Sequence, residues 1–280
     1  MGTENGGTAL PARGSVEDLR KVSRGERFTT SRGVIHFVRT GTGPPIVLLH
    51  GLGSSHRSFD LVVPRLSKKR QVLAVDLLGH GNSDREARDF SGTAQAEALV
   101  QVMTEMRLDR AVLVGHALGG RVAVRAAASI PERVEKLVLI AAGSHGPPVS
   151  PFFRLGFVWE ALGLLGRPAR KRLVARLCGE SAVDPDGVAT YTAWKTLGRA
   201  FRQNSSPEAL SEMDELVDSY LEHTTFVIWG SDDRVSPVGE ARILFQHKRN
   251  VRLVQVAGGS HTLHEDQPDI VADLILEFLD

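Results

Sequence analysis

Short apolar runs recur along this chain at intervals that set its architecture. Ile46–Leu49, Val72–Val75, Ala111–Val114 and Leu137–Ile140 are continuously apolar, and Phe226–Trp229 and Val251–Val256 extend the series. Runs of this length with no polar face predict strands of a parallel sheet covered by helices on both sides. Helical spacing fills the gaps, as in Ala94–Met106 and in Arg121–Ile130, which Pro131 ends. Upstream, Phe28–Thr40 alternates around Gly33 as two strands of a hairpin would. Ser15-Val16-Glu17-Asp18 reads as a capping box, with Asp in place of the usual Glu or Gln. Strand–helix alternation of this kind predicts a doubly wound α/β sheet.

From Ser144 to Thr224 the rhythm stops. No strand-like run occurs there, and the spacing predicts helices over Pro151–Leu165, Pro168–Leu177, Val188–Arg202 and Pro207–Tyr220. An insertion between two sheet strands is expected to form a helical lid over the carboxyl edge, where open α/β sheets bind ligands. The expected division is therefore a disordered leader (1–14), core (15–143), lid (144–224) and core again (225–280).

Composition narrows the function classes. Apolar residues make up 42% and charged residues 24% of the 280 residues, the balance of an ordinary globular protein. A net charge of +1 argues against a dedicated nucleic-acid binder. The basic cluster Arg167–Arg172 reads as a solvated helix face. Cys178 is the single cysteine, so no intrachain disulfide forms and a reducing compartment is expected. Residues 1–14 are polar and lack the apolar stretch of a signal peptide. No run reaches the ~18 apolar residues of a membrane span, and a cytoplasmic location is expected.

The loops at expected strand ends carry chemistry. The first is His50-Gly51-Leu52-Gly53-Ser54-Ser55. The second is Asp76-Leu77-Leu78-Gly79-His80-Gly81-Asn82-Ser83, in which His80 reads as a buried turn residue. The third, Gly115-His116-Ala117-Leu118-Gly119-Gly120, has the small residues of a sharp strand–turn–helix elbow. Its spacing is not that of the dinucleotide-binding G-x-G-x-x-G. The fourth group comprises Trp229-Gly230-Ser231-Asp232-Asp233 and, later, Gly258-Gly259-Ser260-His261, with Pro268 seven residues after His261.

Together these loops resemble the α/β-hydrolase superfamily, in particular its esterase, lipase and C–C-bond hydrolase branch, over roughly Gly33 to Asp280. The resemblance implies an α/β-hydrolase fold and places the nucleophile at position 117, where this chain has Ala. It implies Asp233 as the acid, with Asp232 a solvated neighbour, and His261 as the triad histidine. The backbone N–H groups of Leu52 and Leu118 would form the oxyanion hole. Ser260 fills a place where the family has Gly or another small residue.

Such a site implies acyl-transfer chemistry on an ester, lactone or related carbonyl compound, with no cofactor and no metal. Phe152, Phe153, Phe157 and Trp159 give the lid an apolar stock that suits a substrate with an apolar moiety. His116, His145 and Ser54 are possible polar contacts to it, each reading more readily as structural, and His264 either caps the following helix or lines the pocket. Cys178 reads as a lid-core residue. Ala117 leaves two explanations open. In the first, the chain is a hydrolase whose serine has been replaced. In the second, Ala is natural, and the fold is a ligand-binding protein or a cofactor-free catalyst with the Asp233–His261 pair as general base.

Overall fold

A computed structural model of the protein describes residues 25–143, 168–169, 172 and 191–280. A hairpin of β1 (Glu26–Thr30) and β2 (Gly33–Thr40) opens the chain. It is followed by β3 (Pro45–Leu49), a 3-10 turn (His56–Phe59) and the short helix α1 (Val63–Leu66). Then come β4 (Gln71–Val75), α2 (Gly92–Glu105), β5 (Ala111–His116), α3 (Leu118–Ser129) and β6 (Val134–Ile140). The second half carries α4 (Tyr191–Asn204), α5 (Pro207–Tyr220), β7 (Thr225–Gly230) and α6 (Gly239–Leu244). It closes with β8 (Val251–Val256), α7 (Leu263–Asp266) and α8 (Pro268–Leu279).

The eight strands form one sheet in the order β1-β2-β4-β3-β5-β6-β7-β8. Pairing is antiparallel from β1 to β4 and parallel from β4 through β8. Each apolar run of the sequence became a strand, and the α/β-hydrolase fold that the resemblance implied is the fold observed. Ile46, Val47, Leu48 and Leu49 are all fully buried, as are Val112, Leu113 and Val114, because helices cover both faces. Burying such a side chain contributes roughly 1.5–3 kcal/mol, so the central strands anchor the fold.

Strand β3 leads to β4 on one side, and the chain then crosses β3 to place β5 on the other. Strand order reverses at that point, and the carboxyl ends of β3 and β5 lie side by side, with Leu49 opposite Gly115. In open α/β sheets this is the crevice where ligands bind.

The expected helix over Pro207–Tyr220 is observed with those bounds, and the one expected from Val188 is observed as Tyr191–Asn204. Helix α5 packs against α3, with an ion pair between Arg125 and Glu212, and Met213, Val217 and Leu221 join the main core. Helix α4 is tied to the segment after β4: Asn204 Nδ2 donates to the Phe90 carbonyl at 2.7 Å, and Gln203 Oε1 accepts from Phe90 N–H at 2.8 Å. The leader, the Ser15 capping box, Cys178 and the expected helix Pro151–Leu165 lie outside the described residues.

Close backbone approach around α3 makes a stability test direct. A Cβ on Gly119 would meet the Leu49 carbonyl oxygen at 2.1 Å, whereas one on Gly239 would meet nothing within 4 Å. Gly119→Ala is expected to destabilise by roughly 1–3 kcal/mol or more. Gly239→Ala should stay within about 0.5 kcal/mol of the parent. Urea unfolding of the two variants checks both.

Candidate active site

The tight turn between β5 and α3 holds Ala117 at φ 46°, ψ −112°. A residue with a Cβ rarely adopts this backbone, which costs of order 1–3 kcal/mol and persists only where the surroundings impose it. They do so here by contact: a Cβ on Gly115 would lie 2.4 Å from the Gly119 carbonyl, so strand and helix can meet only through glycine. Ala117 itself is half-buried, while its neighbours from Ala111 to Gly120 are buried. Leu118 is the first residue of α3, where the backbone N–H has no acceptor within the helix and the helix end favours negative charge. Gly51 lies across from the turn, and a Cβ built there would be 3.5 Å from the Ala117 Cβ. Leu52 follows Gly51 and is half-buried against the core.

Asp233 follows β7, and His261 follows β8. The carboxylate Oδ1 of Asp233 accepts from the N–H groups of Val235 and Ser236, each at 2.8 Å. Its Oδ2 accepts from His261 Nδ1 at 2.9 Å. A carboxylate only accepts, so Nδ1 carries the proton and Nε2 is left as the basic nitrogen. Asp233 has no exposed side-chain surface, and the His261 side chain is 13% exposed. Asp232, by contrast, is exposed. The two loops are knitted to each other: Asp232 N–H donates to the Gly259 carbonyl and Gly258 N–H to Ser231 Oγ. Trp229 Nε1 pins the far side of the acid loop on the Ser236 carbonyl at 2.8 Å. Ser260 hydrogen-bonds Asp266 through its hydroxyl, so the small residue before His261 also holds the loop.

Of the polar contacts expected from sequence, His116 and His264 are buried beside His261, and His145 lies outside the described residues together with Phe152, Phe153, Phe157 and Trp159. The His116 ring packs between those of His261 (centroids 4.9 Å apart) and His264 (4.4 Å), and His264 rests on Phe59. His80 is buried in its turn, as the sequence suggested.

Burial disfavours the charged imidazole. It pushes His50 and His264 down to about 3, and neighbouring histidines add to the effect. It lowers His80, and it lowers His116 well below the ordinary value. The site is therefore underlain by neutral rings.

A hub that sequence reasoning missed lies beside the second loop. Asp76 is fully buried and accepts from His36 Nδ1 and Asn82 N–H on one oxygen, and from His56 N–H and Nδ1 on the other. These bonds hold its carboxyl far below the usual range, while Asp76 raises His56 despite that ring's own desolvation. Among the described residues, His36, His56 and Asp76 are the group whose ligand atoms, within 4.8 Å of one another, could hold a metal. Each Asp76 oxygen already accepts two N–H groups, so a cation would have to displace hydrogen bonds. His36 stands inside an alternating strand, and nothing in its local pattern pointed to the hub.

The neutral rings set the response to acid. The unfolded chain takes up protons on His50 and His264 near 6.5, whereas the folded protein resists down to about 3, so stability falls as pH drops through that window. Each of the two should cost ~2 kcal/mol by pH 5, and His80 and His116 act in the same sense. His56 has the opposite sign. Its contribution is nearly complete below pH 6.5 and offsets little of the loss. Urea unfolding between pH 7 and 5 should show this decline, and a flat profile would contradict it.

The model of the alpha/beta hydrolase family matches residues 46–274. An uncharacterised protein of Mycobacterium tuberculosis is 30% identical over 277 residues, covering 91% of this chain and 81% of its own. The 2-hydroxymuconate semialdehyde hydrolase of a Pseudomonas species is 25% identical, covering 86% and 88%. Among solved structures, an alpha/beta hydrolase fold protein from Burkholderia ambifaria superposes with a TM-score of 0.79 at 24% identity, covering 90% of this chain and 97% of its own. With residues 46–274 matched by the family model, the chain belongs to the alpha/beta hydrolase family.

Proposed function

We propose that this protein is a serine-hydrolase-type enzyme for a small ester, lactone or related carbonyl compound with an apolar moiety, disabled at its nucleophile by Ala117. The observation that carries the reading is the Asp233–His261 pair. Its 2.9 Å hydrogen bond leaves Nε2 free at the same sheet edge as the strained turn of Ala117. An acid, a histidine and an elbow at the ends of three different strands serve no packing need that apolar residues would not meet better. The carbonyl class also fits the semialdehyde named for the Pseudomonas relative.

With serine at 117, the hydroxyl proton would pass to His261 Nε2 as the oxygen attacks the carbonyl carbon. Asp233 would hold the imidazole tautomer and stabilise its charge, and the Leu52 and Leu118 N–H groups would receive the oxyanion. Protonated His261 would then give its proton to the departing group. Water would release the acyl group by the same steps. Alanine has no atom for the first bond. Loss of the nucleophile from such a triad costs about 10⁶-fold in turnover.

A second reading rests on the completeness of the pair without the hydroxyl. His261 could act as general base on an acidic C–H or on a water beside Ala117, in a natural non-hydrolytic catalyst or ligand-binding protein.

Assays of the parent and of Ala117→Ser on p-nitrophenyl esters of increasing chain length separate the two. The hydrolase reading expects Ala117→Ser to gain at least ~10³-fold over the parent, and Ala117→Ser/His261→Ala to lose that gain. A folded serine variant that turns over neither these esters nor lactones would sink it.

A further inference from the structure

The reading above uses His261 only through its side chain, yet its main chain is held as well. His116 Nε2 lies 3.0 Å from the His261 carbonyl oxygen. A carbonyl only accepts, so Nε2 carries the ring proton and donates it, and Nδ1 is the bare nitrogen. Residue 261 is thus gripped at two points: the imidazole by Asp233 and the backbone by His116. The second grip comes from the last residue of β5, which immediately precedes Ala117.

The other edge of the same ring faces the loop after β3. A Cβ on Gly51 would meet His116 Nδ1 at 2.7 Å, so glycine is needed there for the loop bearing Leu52 to lie this close. Nδ1 is buried and finds no hydrogen-bond partner among the described residues. His264 backs the ring at 4.4 Å between centroids and rests in turn on Phe59 at 4.9 Å. His116 therefore leads into the elbow of Ala117 and touches both the loop after β3 and the segment after β8, in a buried setting.

From this arrangement we infer that His116 is a positioning residue, whose Nε2–H anchors the His261 backbone and so aims the His261 imidazole at position 117. The inference rests on Asp233–His261 being the working pair of the site. A phenyl ring at 116 would preserve the stacking and lose the anchor, whereas glutamine would lose the ring and keep a donor.

The first test uses the protein as it stands, with Ala117. The Nδ1 proton of His261, bonded to Asp233, should give a low-field proton resonance. In His116→Phe that resonance should broaden or vanish while the circular dichroism spectrum is unchanged, and in His116→Gln it should persist. The second test repeats both changes in the Ala117→Ser background. There, kcat should fall about 10- to 100-fold in His116→Phe with KM within ~2-fold, and should recover in His116→Gln. If His116→Phe keeps the resonance and kcat, even with a lower Tm, the residue only packs and the inference is overturned. Should His116→Phe fail to fold, the glutamine variant decides alone, and loss of the resonance despite its donor overturns the inference. An inactive Ala117→Ser parent would count against the hydrolase reading, and the resonance comparison would still decide the role of His116.

Discussion

Everything at the sheet edge depends on how closely α3 approaches the ends of β3 and β5. Gly119 sits against the Leu49 carbonyl, and Gly115 sits against Gly119, at distances that leave no room for a Cβ. Packing this tight forces a reversal within one residue, and Ala117 takes the strained backbone that the reversal requires. The strain is supported by the buried strands beneath it, where β3 and β5 are sealed by helices on both faces. One consequence is chemical. A half-exposed position stands at the amino end of a helix, in the crevice where strand order reverses.

Around that position the polar groups fall into two kinds. Asp233 and His261 form a hydrogen-bonded pair in which both carboxylate oxygens are partnered and Nε2 is the remaining basic nitrogen. His50, His80, His116 and His264 are buried neutral, and their cost is desolvation, which appears as sensitivity to acid. Asp76 is a third case: a buried carboxylate kept ionised by four N–H donors, which stitches β2, β4 and the loop after β3 together. The proposed catalytic pair and its scaffold therefore use the same residue types in opposite ways.

Much of the fold was legible in the chain because burial on both faces leaves a continuous apolar run, as in Ile46–Leu49 and Ala111–Val114, and such runs need no partner to be recognised. The elbow was legible for a similar reason, since close backbone approach demands small residues at fixed spacing. Asp233 and His261 were placed by register within loops that resemble a known family, and geometry then joined them across 28 residues of chain. The role of α5 was less visible. Its apolar stripe names no partner, and the structure packs it on α3.

The sequence by itself determined the sheet, the elbow and the identity of the residues at its apex and in the acid and histidine loops, because each is written in local pattern. Only the tertiary structure decided what His116, His264, His36 and His56 do. His116 and His264 could be read as contacts to a substrate, but both are buried, and His116 bonds the backbone of a residue 145 positions away. His36 and His56 converge on Asp76 from separate elements. A histidine alters its role with its burial and its hydrogen-bond partner, and both are set by segments distant in the chain.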